Sequence, residues 1–551
     1  MNLLQQIILQ AIQRKINTKA EFDRLRQAVS SKFGKSQPSN QSLLKVYRKL
    51  NIAAPSLEKI LKTREIRTLS GVAVITVLTK PFPCPGACIY CPNDPQMPKS
   101  YLPNEPAAAR ALALKFNPYT QVKKRIEMLE VNGHKTDKIE LIVKGGTWSA
   151  YPQKYQDWFI KRCFEAANNH KIIKSLNHKI KDTKDSRLRG NDREGGGNDS
   201  LFLAQKINET AEHRIVGLTL ETRPDFVTPE EIKHLRELGC TRIELGVQTI
   251  DDKILALIRR GHTAQEVADA TALLRDAGFK VDYHLMPALP GVSVKKDLEN
   301  FKKIFSDARF RPDMIKIYPC SIIPKTALYN LWKQGKYKPL ATNKLLDLII
   351  QMKLAVPPYV RISRVIRDIP GNDIAAGNLV TSLRQNIQAE MKRRGLKCKC
   401  IRCREIGHMA DKISNFKFQI SNKLQITKYK ASNGTEYFLS IEDSKKKILF
   451  AFCRLRLPIQ NSKFKIQNLP ELSGAALIRE LHTYGHLVPI DKKIAGASQH
   501  FGFGKKLMKE AERIAKKSGY KKMAVIAGIG VREYYKKLGY RLKGTYVVKS
   551  L

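Results

Sequence analysis

The sequence predicts an α/β protein: a partial parallel barrel of TIM-like (βα)6 type, a smaller α+β domain after it, and a basic helical arm before it. Three observations carry this expectation. Between residues 71 and 319, apolar runs of strand length alternate with helix-like stretches, the pattern of parallel strands joined by crossover helices. Beyond residue 428 the pattern changes to strand-rich segments around one amphipathic helix. Before residue 71, apolar residues recur at helical spacing, as at Leu3, Leu4, Ile7, Ile8 and Ile12.

The barrel runs are GVAVITVL (71–78), KIELIVKGG (138–146), RIVGLTLE (214–221), TRIELGVQT (241–249), KVDYHLMPALPG (280–291) and MIKIYP (314–319). In such folds chemistry collects at the C-terminal ends of the strands. A cysteine triplet follows the first run and GGT (145–147) the second, while ETRPD (221–225) and GVQT (246–249) end the third and fourth. The signals therefore converge on one mouth. Three stretches look foreign to this scheme: 185–200, rich in Gly, Asn, Asp and Arg, and the similar 416–422 and 462–468. They read as surface insertions without a catalytic role, the first of them disordered.

Charge narrows the class of partner. Of 551 residues, 99 are Lys or Arg and 50 are Asp or Glu, a net of +49, which calls for a large polyanion, nucleic acid foremost. Residues 1–80 hold 15 basic and 4 acidic side chains. The arm at 1–70 thus reads as one that grips phosphates, the alternative being a solvated helical face. No window approaches 18 uninterrupted apolar residues, and the N-terminus is too polar for a signal segment, so a cytoplasmic protein without a membrane partner is expected. Six of the 10 cysteines fall in two tight triplets, which in a reducing compartment means metal.

The first triplet is Cys84, Cys88 and Cys91, in a loop with Pro83, Pro85 and Gly86. A structural zinc site needs four ligands and no fourth Cys or His lies nearby, although a zinc loop stays open as the alternative. A 4Fe-4S cubane held by three cysteines leaves one iron for an exogenous ligand. This spacing after the first barrel strand resembles the radical S-adenosylmethionine superfamily. The resemblance implies that the open iron is chelated by S-adenosyl-L-methionine, that an electron from the cluster cleaves the sulfonium, and that a 5'-deoxyadenosyl radical results. Gly145, Gly146 and Thr147 then match the contact to the cofactor's amino group.

The second triplet, Cys398, Cys400 and Cys403, lies in a cysteine-rich linker at 371–427, with His408 nearby. Three thiolates and an imidazole suit a structural zinc, a second iron-sulfur cluster being the alternative. In the domain at 428–551, TEYFLSIED, ILFAFCRLRLP, AALIRELHTYG and KKMAVIAG read as antiparallel strands. Between them Gln499-x-x-Gly502-x-Gly504 opens a helix, where free backbone amides favour a pyrophosphate. This resembles the acetyl-coenzyme A loop of the Gcn5-related N-acetyltransferase (GNAT) family. There a tyrosine near the tail protonates the leaving thiolate. Tyr535, with Tyr534 beside it, is the candidate, and aromatic core packing the competing reading.

Taken together, CIYCPNDP, KGGTWS, LTLETRPD, RIELGVQT, CKCIRCREIGH, RELHTYGH, HFGFGKKLM and VREYYKKLGY resemble the family of the Elongator catalytic subunit and its stand-alone bacterial and archaeal relatives, the tRNA uridine-34 acetyltransferases. The resemblance implies an acyltransferase acting on the wobble uridine in the anticodon stem-loop. A carbon radical made from the methyl of acetyl-CoA adds to carbon 5 of the uracil, and thioester hydrolysis leaves 5-carboxymethyluridine. It also implies acetyl-CoA contacts at Lys138, Glu480, Leu481, His482, Thr483, Phe503, Gly504 and Lys505, completed by Tyr535. An electron donor for the cluster is a required partner, and a homodimer or accessory subunits remain open. Two other functions compete: a protein lysine acetyltransferase using only the C-terminal domain, and a non-catalytic tRNA-binding module.

Overall fold

The alternation of strand and helix is realised in a computed structural model that describes all residues except 63–67, 69, 169–197, 381, 409–423, 460–468 and 485–501. Seven strands form one sheet in chain order: β1 (Ala73–Leu78), β2 (Lys138–Lys144), β3 (Arg214–Thr222), β4 (Arg242–Gln248), β5 (Lys280–Leu285), β6 (Met314–Ile317) and β7 (Arg361–Val365). Every pairing is parallel. Because β1 and β7 do not pair, the sheet is a half-barrel. Side chains alternate across it, as parallel strands covered by helices on one face require. In β2, Ile139, Leu141 and Val143 are buried against the outer helices, while Lys138, Glu140, Ile142 and Lys144 share the inner face.

Ser and Thr caps start the outer helices. Thr228, Thr263, Ser293 and Thr326 each accept a backbone N–H of the first turn, satisfying donors that a helix leaves unpaired. The helix Gln153–Ala167 turns Phe159, Ile160, Cys163 and Phe164 into the core. One strand exceeds expectation. β7 reads Arg-Ile-Ser-Arg-Val, with polar residues at three of five places, so no apolar run announced it. The expected disorder at 185–200 needs correction at its end, because a helix begins at Asn198. Residues 185–197, 416–422 and 462–468 lie outside the described residues.

The second sheet has the order β13-β14-β12-β11-β10-β9-β8. Its strands are β8 (Gln425–Ala431), β9 (Gly434–Glu442), β10 (Leu449–Leu457), β11 (Ala475–Thr483), β12 (Lys522–Val525), β13 (Arg541–Lys543) and β14 (Tyr546–Ser550). The antiparallel expectation fails at one pair: β11 and β12 run parallel, so the sheet is mixed. The helix Phe503–Lys517 lies in the segment joining them, and a crossover of that kind is what a parallel pair needs. That helix buries Leu507, Met508, Ala511 and Ile514 against one face of the sheet. The other face sends Phe438, Phe452, Leu477 and Tyr546 into the barrel's own core.

Contact between the sheets falls at the N-terminal ends of the barrel strands. Asp313, just before β6, lies 2.6 Å from Arg479, 3.5 Å from Arg454 and 3.8 Å from Arg275, and all four are buried. Glu436 closes the hub with Arg479 and Arg456, both at 3.0 Å. At the N-terminus, the helices Leu3–Gln13, Lys19–Lys32, Asn40–Leu50 and Pro55–Leu61 pack around their own apolar core. They join the barrel where Arg48 donates to the Glu130 carbonyl at 2.9 Å. Among the described residues no helix is long and apolar enough to cross a membrane.

Candidate active site

A cavity of about 440 Å³ occupies the half-barrel, with Cys84, Cys88 and Cys91 at its upper end and the first residues of several strands at its floor. The cysteine loop is pinned by its own sequence. Ile89, between two of the cysteines, packs with Ile254, Ile258 and Leu328, donates to the Ile258 carbonyl at 3.2 Å and accepts from Leu328 at 2.8 Å. Polar hydrogens face the sulfurs: Gly86 N–H lies 3.4 Å from Cys84 Sγ, and Arg260 Nη1 lies 3.4 Å from Cys88 Sγ. Arg223 Nη1 is buried beside Gly86 without a hydrogen-bond partner.

The two triplets differ in spread. Cys398, Cys400 and Cys403 bring their sulfurs within 4.8 Å of one another, the only such trio of metal-ligating side chains among the described residues. That is the spacing of donors around a single ion. The sulfurs of Cys84, Cys88 and Cys91 do not all fall within that distance, which suits a larger inorganic core, and the donors around them suit thiolates. His408 does not join the second triplet. Its Nε2 lies 2.7 Å from a Glu405 oxygen, outside the group of three sulfurs.

Gly145 and Gly146 follow β2 with φ of 145° and 88°, conformations that side chains disfavour. A Cβ on Gly145 would collide with the Thr79 hydroxyl. Thr147 Oγ1 lies 3.7 Å from Cys84 Sγ, so the glycine turn and the cysteine loop meet. Lys138 stands at the other end of β2, on the face it shares with Glu140, Ile142 and Lys144, the last three of which line the cavity.

Below the cysteines the wall is charged, which the sequence reading missed. Glu221 and Glu244 face Lys144, His284 and Lys316: Lys144 lies 3.2 Å from Glu221, His284 Nε2 2.9 Å from Glu244, and Lys316 2.5 Å from Glu244. Burial alone would raise both carboxyls, but Lys144 above all holds them well below the usual range. Burial pushes Lys316 down to about 8. The signal was present as single ionisable residues set within or at the end of apolar runs, in IVK, IEL, YHL and IKI. In a strand covered on its outer face, such a charge has to point inward.

On the second sheet, Glu480 reaches the barrel floor, 3.4 Å from Lys280 and 2.9 Å from Arg454. His482 Nε2 lies 3.0 Å from the Ser70 carbonyl oxygen, its ring tilted against Tyr484 at 4.3 Å and parallel to Phe452 at 6.0 Å. Leu481 leans on the second core, and Thr483 ends β11. Phe503 is buried at the start of the long helix, with Gly502 before it in the left-handed region and Lys505 exposed. Tyr534 brings its hydroxyl against the backbone at Gly504, where a Cβ would sit 2.6 Å from it. Tyr535 instead packs in the core, 6.1 Å from the Tyr540 ring. Gln499 lies outside the described residues.

A parallel half-barrel with a three-cysteine loop at the C-terminal ends of its strands defines the class of radical SAM proteins. Accordingly, residues 83–303 match the Radical SAM superfamily model and residues 312–393 that of the Radical_SAM C-terminal domain. The tRNA uridine(34) acetyltransferase of Methanocaldococcus jannaschii is 45% identical over 530 residues, covering 94% of this chain and 92% of that protein. Elongator complex protein 3 of Homo sapiens is 37% identical, covering 89% and 86%. A solved structure of the Methanocaldococcus infernus Elp3 with an N-terminal deletion superposes with a TM-score of 0.71 at 43% identity, covering 88% of this chain and all of that one. The chain belongs to the family of the tRNA uridine(34) acetyltransferases and Elongator complex protein 3, within the radical SAM superfamily.

Proposed function

We propose that this protein modifies the wobble uridine of tRNA, joining a carboxymethyl group drawn from acetyl-CoA to carbon 5 of the base. The observation that carries the reading is the single cavity leading from the cysteine loop and the glycine turn to the floor beneath which β11 packs. Cys84, Cys88 and Cys91 would hold a 4Fe-4S cluster, and Gly145, Gly146 and Thr147 would meet the amino group of S-adenosylmethionine. A cluster held there would supply the electron for cleaving the sulfonium. Arg260 and the Gly86 amide would stabilise the thiolates, and the pinned loop would hold the three sulfurs at the cavity wall.

The mixed sheet with its Gly502-led helix is read as the GNAT domain, its helix N-terminus taking the coenzyme A pyrophosphate. Lys138, Glu480 and His482 would guide the thioester toward the floor. Burial lowers the proton affinity of His482, which leaves a neutral ring able to accept a proton there. Of the two tyrosines, Tyr534 is the better placed to protonate a leaving thiolate, because its hydroxyl reaches the helix start. The four N-terminal helices are read as a tRNA-binding arm, Cys398, Cys400 and Cys403 as a zinc site, and the cytoplasm as the working compartment. A lysine acetyltransferase acting through the second sheet alone is not favoured, since it leaves the cysteine loop and the charged barrel interior without a task.

The test is anaerobic reconstitution with S-adenosylmethionine, reductant, acetyl-CoA and tRNA, followed by nucleoside mass spectrometry. The expected product is 5-carboxymethyluridine, absent with Cys88→Ser. Product undiminished in that variant would sink the reading. Metal analysis should give about four irons and one zinc per chain, with Cys403→Ser losing zinc and keeping iron.

A further inference from the structure

Asp282 stands on the inner face of β5, opposite Glu244 of β4 and Met314 of β6, and lines the cavity with none of its own surface exposed. Its two oxygens are treated differently. The Ser363 hydroxyl donates to Oδ2 at 3.1 Å, which fixes the plane of the carboxylate. Oδ1 is buried with no hydrogen-bond partner. Burial raises the Asp282 carboxyl and the facing Glu244 adds to that, while Lys316, 2.5 Å from Glu244, and Arg242 pull it down. Native interiors seldom leave a carboxylate oxygen unmatched. A fixed acceptor in a polar cavity calls for a ligand that brings an N–H or O–H to it.

Depth narrows the choice of ligand. Asp282 lies three residues below Leu285, the last of β5, or about 10 Å down the wall at the usual rise per residue. That leaves a layer between it and the cysteine loop. A base taken out of an RNA stack is read through its Watson–Crick edge. Uracil offers a central N3–H between two carbonyl oxygens. Cytosine offers a bare N3 lone pair at the same point, which would face a carboxylate unfavourably. An ionised Oδ1 set beside Lys316, with Glu244 and Arg242 also at hand, fits the first pattern and repels the second.

We infer that Asp282 Oδ1 accepts the N3–H of a uracil flipped into the barrel while Lys316 faces a neighbouring carbonyl oxygen, so that this pair, oriented by Ser363, restricts the protein to uridine. The inference rests on the proposed tRNA reaction and assigns its base specificity. Sites built to hydrogen-bond a substrate group reject analogues lacking it far more strongly than apolar pockets do.

The experiment pits anticodon stem-loop RNAs with uridine or cytidine at the wobble position against each other, with product ratios read by mass spectrometry. The native protein should favour uridine by about a hundredfold or more. Asp282→Asn turns an N–H toward the base, so the ratio should fall at least about tenfold, with a cytidine product appearing. Ser363→Ala, which frees the carboxylate, should lower the ratio by less. An unchanged ratio in both variants, or equal use of the two RNAs by the native protein, would overturn the inference. Circular dichroism and iron content check that Asp282→Asn is folded, and Ser363→Ala serves if it is not. If no nucleoside product forms on either RNA, the proposed reaction has failed. The relative affinity of the two RNAs, measured without turnover, then still tests Asp282, and equal affinity rejects its role.

Discussion

Gly145 shows how much rests on a single missing methyl. Its backbone lies where side chains are disfavoured, and a Cβ would drive into the Thr79 hydroxyl, so Gly145→Ala must move either the turn or β1. S-adenosylmethionine affinity, measured by calorimetry on reconstituted protein, should fall at least about tenfold, a loss near 1.4 kcal/mol. Glu480 gives a pH dependence. Burial would raise its carboxyl, yet Lys280 and Arg454 hold it down at about 2. A carboxyl depressed in the folded state stabilises above its unfolded value, ordinarily near 4.3, and that stability is lost as pH falls toward 2. Acid unfolding of the native protein should therefore be steeper between about pH 4 and 2 than that of Glu480→Gln. Equal profiles would show that the two cations are held elsewhere.

Elements differ in how openly the sequence declares them. β1 to β6 were legible because each is a mostly apolar run broken only by single polar residues, as parallel strands beneath helices tend to be. β7 was not, since Arg361, Ser363 and Arg364 belong to an edge that meets Glu405 and the cavity rather than a core. The parallel pairing of β11 with β12 escaped for another reason: local pattern fixes a strand but not the direction of its neighbour. The cysteine loop and the glycine turn were visible by spacing alone, whereas His408 could not be separated by spacing from a ligand. Only the fold reveals that its Nε2 sits beside Glu405. For the N-terminal helices, their separate core means they can be removed without opening the barrel. A protein lacking residues 1–62 should remain folded, bind tRNA more weakly, and give a shallower slope of log affinity against log salt. An unchanged slope would make these helices a solvated face.

At the scale of the whole molecule, the two sheets share one buried ion hub. Asp313 and Glu436 stand among Arg275, Arg454, Arg456 and Arg479, and breaking a buried pair from one side is costly because it strands the partner's charge. Asp313→Asn should lower the stability of the assembly by about 3–5 kcal/mol. In differential scanning calorimetry, the single transition expected of the native protein should become two, one for each sheet. Retention of a single transition at the native temperature would mean that apolar contact alone joins them. The net charge of +49 acts at this same scale: it speaks for a polyanionic partner and leaves the choice of base to the barrel interior.

The row along β2 has a consequence of its own. Six peptide steps separate Lys138 from Lys144, so the interval between floor and glycine turn is a length of about 20 Å written into the pleat. Two reagents approaching from opposite ends of such a ruler need no swinging domain to bring them together. They need only a tether as long as the ruler, which the proposed acetyl-CoA would bring in its pantetheine chain. Removing one residue from the strand would turn the whole row outward and erase the passage at a stroke.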